Sequence, residues 1–314
     1  MVKLRDAGYC NLKLLLIYFV VYGHWIENDI YDCENLLAQY HIIYMFHMPL
    51  FIFLSGLFLK SSDDCVRQIK QIFPIYVLCQ AIALLFGGTI KVSAPCWTLW
   101  YLLSYCFWAG FGWLWFHFER PKSKWFIIAA TILIGGLAGY IPWLDRTWSG
   151  SRTVVFFPYF FAGLICSPDI QWQKYRRFGL AAFAIATGGI LFWGKQIPVT
   201  FLYQAAPFGT LENGFILRLF CYYIGGLLGF FLLTITPRKR FPFTKAGADT
   251  LPVYLIHAPV VLLLRELHLS WALRAVLSVV LLYIVYKILQ WSSTLYCIVP
   301  EKRRDRGDWI SEDI

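Results

Sequence analysis

The segment VVYGHWIE, residues 20–27, ends an apolar run with a histidine and a glutamate. His24 and Glu27 are three residues apart, so their side chains can meet on one face of an α-helix. Imidazole changes its protonation near neutral pH and can accept a proton from a hydroxyl group. The pair therefore indicates general-base chemistry, provided that the apolar run is a helix that carries the imidazole to the edge of a membrane.

Further ionisable residues within apolar segments extend this pattern. Lys13 precedes His24 by eleven residues, which on a helix is about 16 Å along the axis and nearly the same face. His47 and His257 lie inside two other apolar segments. Ionisable groups within a membrane are costly, and their presence indicates a function by default. From the residues alone, a general base, a proton relay and a structural hydrogen bond all stay open.

Basic residues form a second group of candidates. Arg67 and Lys70 are three residues apart, and the segment PRKRF contributes Arg238, Lys239 and Arg240. Guanidinium and ammonium groups pair strongly with phosphate. One interpretation is a clamp for a phosphate-bearing cytosolic donor, and the other is that these residues only set the orientation of the chain in a membrane.

The composition indicates an integral membrane protein. Of 314 residues, 59% are hydrophobic and 15% are charged, whereas a soluble domain carries about 25% charged residues. Aromatic residues make up 19%, and such residues gather where a membrane meets water. The net charge of +10 does not indicate nucleic-acid binding, because the basic residues form short clusters between apolar runs. No metal site is predicted, since the cysteines show no metal-ligand spacing.

Ten apolar segments approach the length of about 20 residues that a transmembrane helix needs. They cover residues 11–27, 40–59, 72–90, 97–117, 125–143, 153–167, 178–194, 214–236, 250–267 and 271–296. The predicted fold is therefore an all-α integral membrane protein, a bundle of ten transmembrane helices. We expect a single domain over 1–300 and a charged cytoplasmic tail over 301–314.

The distribution of lysine and arginine predicts the orientation of these segments. Alternate loops and the two ends of the chain carry 19 basic residues, and the other loops and span ends carry five. Because cytoplasmic loops are enriched in lysine and arginine, we expect both termini in the cytoplasm. His24 and Arg152 then lie at the outer ends of their segments, and Lys13, Arg67 and Lys70 lie at the inner side.

Five segments, taken in order, carry a family resemblance: NLKLLLIYFVVYGHWIE, FHMPLFIFLSGLF, TLWYLLSY, SRTVVFFPYFFAGL and LPVYLIHAP. Together they resemble the membrane acyltransferase type 3 family, and within it the fucose 4-O-acetylase-like branch. The resemblance covers almost the whole chain. It implies a ten-helix membrane fold and the transfer of an acyl group, usually acetyl from acetyl-CoA, to a hydroxyl of a sugar or another surface acceptor.

The resemblance also implies roles for individual residues. His24 corresponds to the motif histidine that acts in transfer, and Arg67 and Lys70 correspond to a basic pair that contacts the nucleotide side of the donor. The residues expected to bind substrate are Asn11, Lys13, Glu27, His47 and Arg152. The branch commonly has aspartate where this chain has Cys10. If that carboxylate orders the donor entrance in the family, this chain lacks its contribution.

The sequence therefore predicts a membrane O-acyltransferase that uses acyl-CoA, with His24 as the general base and a cell-surface glycan as acceptor. His47 or Arg152 would donate hydrogen bonds to the oxyanion, and a transient acyl-histidine stays open. The alternatives are a transporter or flippase and a non-catalytic solute-binding membrane protein. Expected partners are acyl-CoA, the glycan and membrane lipid, without nucleic acid, and oligomerisation is left open. The expected location is the plasma membrane, as a multi-pass protein of a bacterial inner membrane.

Overall fold

The computed structural model describes residues 7–86, 91–118, 123–265, 267 and 269–291. The predicted tail, 301–314, lies outside the described residues, as do the basic residues before residue 7 and at 120 and 122. Every regular element in the described part is helical. The chain divides into two compact units. Unit 1 combines Met1–Asn28 with Thr236–Ile314, and unit 2 is Asp29–Ile235.

Unit 1 contains three described α-helices. These are α1 (Ala7–Ile26), α10 (Leu251–Arg265) and α11 (Trp271–Trp291), and α1 packs against both of the others. The described α-helices of unit 2 are α2 (Glu34–Leu57), α3 (Ser62–Phe86), α4 (Trp100–His117), α5 (Lys124–Leu137), α6 (Gly150–Ile165), α7 (Arg176–Trp193), the short α8 (Val199–Leu202) and α9 (Gly214–Ile235). The largest helix contacts in unit 2 join α2 to α6, α3 to α4 and α7 to α9.

The helices confirm the all-α class and the membrane character of the chain. Four of them are long and apolar enough to cross a membrane: Ala7–Ile26, Glu34–Leu57, Ser62–Leu85 and Gly214–Ile235. Each predicted segment coincides with a described helix, but α5, α6 and α10 have 14, 16 and 15 residues. Such helices are about 21–24 Å long, less than the roughly 30 Å of a bilayer core. Ten complete spans therefore stay a prediction.

The helices α2 and α6 meet backbone to backbone through two glycines. A Cβ atom on Gly56 would collide with the carbonyl oxygen of Phe160, and one on Gly163 would collide with the carbonyl oxygen of Phe53. Small residues let the backbones of membrane helices approach this closely. Gly56 on α2 and Gly163 on α6 are therefore counterparts in this close approach.

A set of buried hydroxyl groups joins α4 to the start of α6. Ser104 Oγ lies 2.7 Å from Ser149 Oγ and 2.8 Å from Thr153 Oγ1. Trp108 Nε1 donates to the carbonyl oxygen of Thr153 at 2.8 Å. Because each buried polar group has a partner, this set can stabilise the contact between the two helices.

The start of α3 differs from the prediction. The predicted segment began at residue 72, whereas the helix begins at Ser62. Ser61 Oγ accepts a hydrogen bond from the backbone N–H of Asp64 at 3.1 Å, which is the contact that a helix N-cap makes. Arg67 and Lys70 therefore lie on α3 itself and not in a loop that precedes it.

Candidate active site

Two histidine rings of unit 1 face each other. His24, in the last turn of α1, and His257, on α10, have ring centroids 5.4 Å apart and ring planes at 28°. The side chain of His24 is 15% exposed, whereas His257 is 1% exposed. The packing of α1 against α10 therefore brings together one accessible and one buried imidazole.

The hydrogen bonds of His257 define its tautomer. Nδ1 lies 2.6 Å from the carbonyl oxygen of Tyr254, so Nδ1 must carry a hydrogen and donate it. In the neutral ring the lone pair is then on Nε2. This atom is buried and has no hydrogen-bond partner among the described residues. Buried polar atoms are nearly always paired, so the exception indicates a role that the fold alone does not supply.

Glu27 contacts His24, one of the two rings. Its Oε2 atom lies 3.5 Å from Nδ1 of His24, and its side chain is 20% exposed. The contact predicted from the three-residue spacing is confirmed. A hydrogen donated from Nδ1 to Glu27 leaves the lone pair of His24 on Nε2, which is the tautomer that a general base requires.

Asn11 and Lys13 lie at the opposite end of α1 from His24. Asn11 Nδ2 donates to the carbonyl oxygens of Pro237 and Lys239 at 2.8 and 3.0 Å. Its Oδ1 atom accepts from Thr244 Oγ1 at 2.6 Å. In the described structure the Asn11 amide thus holds the chain after α9, and its predicted contact with substrate stays a prediction.

The chain held by Asn11 is the basic segment PRKRF. Arg238, Lys239 and Arg240 are exposed, and Lys13 Nζ donates to the carbonyl oxygen of Ala248 at 3.0 Å. Gly247 also fits closely against the backbone, because a Cβ atom there would collide with the carbonyl oxygen of Cys10. Unit 1 therefore has a cationic surface whose backbone is fixed to the start of α1.

His47 belongs to unit 2, where it is buried on α2. Its Nδ1 atom donates to the carbonyl oxygen of Ile43 at 2.6 Å, and its ring meets Tyr44 edge-on at 4.8 Å. With the hydrogen on Nδ1, neutral His47 has only a lone pair on Nε2. The predicted role as a donor to an oxyanion would therefore require the protonated ring.

Arg152, also in unit 2, has a structural contact at the start of α6. Its Nε atom donates to the carbonyl oxygen of Tyr203 at 2.9 Å, and its guanidinium lies 4.7 Å above the ring of Trp100. The neighbouring Ser151 Oγ donates to the carbonyl oxygen of Gln204 at 2.9 Å. The SRT motif thus fixes the segment that follows α8, and substrate binding by Arg152 stays a prediction.

The predicted donor contacts on α3 are both exposed. Arg67 pairs with Asp64, one helical turn earlier, and Lys70 is exposed. Because the Asp64 carboxylate shares the charge of Arg67, this arginine attracts phosphate less strongly than an unpaired one would. Nucleotide binding by Arg67 and Lys70 stays a prediction.

His257 is the site residue that the predicted set omitted. Its position within LPVYLIHAP was the available signal, because an ionisable ring in an apolar segment is costly. Among the described residues, no group of three histidine, cysteine or acidic side chains could hold a metal ion.

The helices and the buried imidazoles define a multi-pass membrane protein with ionisable groups inside it. A family model described as an acyltransferase domain, Acyl_transf_3, matches residues 10–289. The chain therefore belongs to this family of acyltransferases, as the sequence motifs predicted.

A curated relative supports the same assignment. The chain is 27% identical over 234 residues to the nodulation protein NolL of Sinorhizobium fredii (strain NBRC 101917 / NGR234). The match covers 61% of this chain and 58% of that protein, so the chain spans less than two thirds of its relative. No solved structure matches the chain.

Proposed function

We propose that the protein is a membrane O-acyltransferase that moves an acyl group, acetyl in the first instance, from acyl-CoA to a hydroxyl of a cell-surface glycan. Membership of an acyltransferase family supports the reaction class. The single observation that carries the catalytic assignment is that His24 contacts both the Glu27 carboxylate and the His257 ring. The acetyl donor, the glycan and the cytoplasmic position of both termini belong to this proposal.

His24 acts as the general base. Its Nε2 atom takes the proton of the acceptor hydroxyl while that oxygen attacks the thioester carbonyl carbon. The tetrahedral intermediate collapses, the carbon–sulfur bond breaks, and the leaving thiolate receives the proton from the imidazolium. The products are an O-acyl ester and free CoA. Glu27 holds the hydrogen on Nδ1 of His24, which keeps the lone pair on the reacting nitrogen.

The donor enters through its phosphates. The exposed segment Arg238–Arg240 offers three adjacent cations in unit 1, and phosphate groups bind arginine and lysine strongly. Because Asn11 holds the backbone of this segment, the cations are presented from a fixed position. In unit 2, Arg67 and Lys70 are the predicted additional contacts for the nucleotide, and His47 and Arg152 are predicted to bind substrate.

The test is a transfer assay with purified protein in lipid nanodiscs, labelled acetyl-CoA and candidate glycans. We expect acetylated glycan and an equal amount of free CoA from the wild type. His24→Gln should lower transfer by roughly 10²–10⁴-fold, the range that a general base contributes. The matched control is His117→Gln, because His117 is also a histidine at a helix end but is exposed on α4.

Three outcomes would contradict the proposal. Near-normal transfer by a folded His24→Gln variant would show that His24 is not the general base. If the wild type released no CoA with any acyl-CoA and hydroxyl acceptor tested, the proposed acyltransferase activity would be contradicted. Transport of an unmodified solute across the membrane of vesicles that contain the protein would instead support the transporter alternative.

A further inference from the structure

Arg218 is a buried cation on α9, one of the helices that could cross a membrane. Its side chain is 1% exposed, so the guanidinium lies inside unit 2 and away from solvent. Arginine is always charged in proteins, and an isolated charge inside a protein or a membrane is very costly. The structure must therefore offer this cation compensation.

The described partners of Arg218 compensate it only in part. Nη1 donates to the carbonyl oxygen of Gly135 at 3.2 Å. The guanidinium also lies 4.4 Å from the ring centre of Phe208 and 5.5 Å from that of Phe201. Nε is buried without a hydrogen-bond partner, and no ion pair joins Arg218 to a carboxylate within the described residues. A positive charge and one N–H donor therefore stay available.

A small cavity lies beside this guanidinium. Its volume is about 20 Å³, which is room for one water-sized group. Its wall includes Arg218, Gln204, Tyr44, Tyr159 and Tyr222, and the rest is apolar apart from Cys221. Within the part of the chain that the structure describes, no acidic side chain lines it. The cavity is thus positive, partly aromatic and limited to a small ligand.

Gln204 contributes the second unsatisfied group. Its side-chain oxygen is buried without a partner among the described residues, and its backbone adopts a left-handed conformation with φ of 51°. The two ends of a glutamine amide can exchange places by a rotation of the side chain. In that orientation the buried end of the amide is an N–H donor, like Nε of Arg218, and both residues line the cavity.

We propose that Arg218 and Gln204 form a binding site for a single halide ion. Such an anion neutralises the guanidinium and accepts hydrogen bonds from Nε of Arg218 and from the Gln204 amide. The size of the cavity excludes phosphate esters and CoA. This site is separate from the proposed acyl transfer, because none of its residues takes part in that reaction.

The test is thermal unfolding of the full-length protein in nanodiscs at constant pH and ionic strength. Sodium gluconate, an anion too large for the cavity, is replaced stepwise by chloride, bromide or acetate. We expect chloride to raise the Tm by about 4 °C or more once its concentration is well above the Kd. Bromide should act in the same way, whereas acetate, which is too large for the cavity, should leave the Tm unchanged, and a rise with acetate equal to that with chloride would contradict the proposal.

Two variants separate anion binding from general salt effects. Arg218→Gln should lose the anion-dependent rise, whereas Arg146→Gln, which removes an exposed cation of the same unit, should keep it. Gln204→Glu places a carboxylate beside Arg218, so it should be as stable as the anion-loaded wild type and insensitive to chloride. This variant keeps the test decisive if Arg218→Gln does not fold. Equal Tm values of the wild type in gluconate and chloride would overturn the proposal.

Discussion

Two regions of the molecule, a hydroxyl cluster in unit 2 and a pair of imidazoles in unit 1, treat their buried polar groups differently. In the cluster, the hydroxyls of Ser104, Ser149 and Thr153 bond to one another within 2.8 Å. In the pair, the rings of His24 and His257 are stacked, and Nε2 of His257 has no hydrogen-bond partner among the described residues. Polar groups that have hydrogen-bond partners hold helices together, whereas groups without a partner are available to a ligand or a proton. Changes in the close contacts between helices should therefore alter stability, and changes at the imidazoles should alter activity.

The largest expected effect comes from the glycine contact of unit 2. In Gly163→Ala, the new Cβ collides with the carbonyl oxygen of Phe53, which is backbone and cannot move away easily. We expect the free energy of unfolding to fall by about 3 kcal/mol. The control is Gly226→Ala on α9, where an added Cβ meets nothing within 4 Å and where alanine should stabilise the helix by about 0.5–1 kcal/mol. Similar denaturation midpoints for the two variants would contradict the close approach of α2 and α6.

The second effect should appear in catalysis alone. In His257→Gln, the ring that stacks on His24 is lost, and we expect kcat to fall by roughly 10–100-fold, somewhat less than for loss of the base itself. The KM for acyl-CoA should not change, because His257 packs against His24, at the end of α1 opposite to the basic segment that Asn11 holds. Steady-state kinetics at fixed acceptor concentration would check this. A fall in stability with unchanged kcat would show that His257 only packs.

The third effect concerns the anchor of the basic segment. Asn11→Ala leaves the carbonyl oxygens of Pro237 and Lys239 and the hydroxyl of Thr244 without their shared partner. We expect a loss of about 1–2 kcal/mol in the free energy of unfolding and a higher KM for acyl-CoA. Asn28→Ala, at an exposed residue of the same unit, is the control for both readouts. A raised KM in the control as well would argue against a specific anchor.

The smallest effect is a pH dependence in unit 2, outside the helices. The backbone N–H of Thr147 donates to Asp145 Oδ1 at 2.7 Å, and this hydrogen bond lowers the pKa of Asp145. Because the pKa of Asp145 is lower in the folded state, its carboxylate contributes fully to stability above the unfolded-state pKa of about 3.9. This contribution to stability is lost as the pH falls through the folded-state pKa. The Tm of the wild type should therefore exceed that of Asp145→Asn slightly at pH 7, and this difference should shrink as the pH falls below the unfolded-state pKa. A difference that grows in acid would contradict it.

Local patterns predicted what local physics determines. Hydrophobicity predicts the helical class and the position of each apolar helix. The contact of His24 with Glu27 follows from their spacing, because residues three apart lie on the same face of a helix. The start of α3 at Ser62 was missed because its first turns are polar, and only the hydrogen bond from Asp64 to Ser61 shows the cap.

The partners of residues far apart in the chain could not be predicted. Asn11 and Lys239 are separated by 228 residues, and no periodicity specifies which helices pack together. The stacking of His257 on His24 could not be predicted either, because the two residues lie on helices that are far apart in the chain. The unpaired Nε of Arg218 was also beyond the sequence, because only the three-dimensional contacts show that its described neighbours include no carboxylate.

The composition of unit 1 from two distant parts of the chain has a consequence for biosynthesis. Lys13 and its acceptor Ala248 are 235 residues apart, so at roughly 5–20 residues per second a ribosome needs about ten to fifty seconds to make the second after the first. During that interval the amide, the ammonium and the imidazole of α1 await the helices that enclose them. A chain arrested before α10 lacks the partners of these groups, and we expect membrane proteases to degrade it sooner than the complete chain.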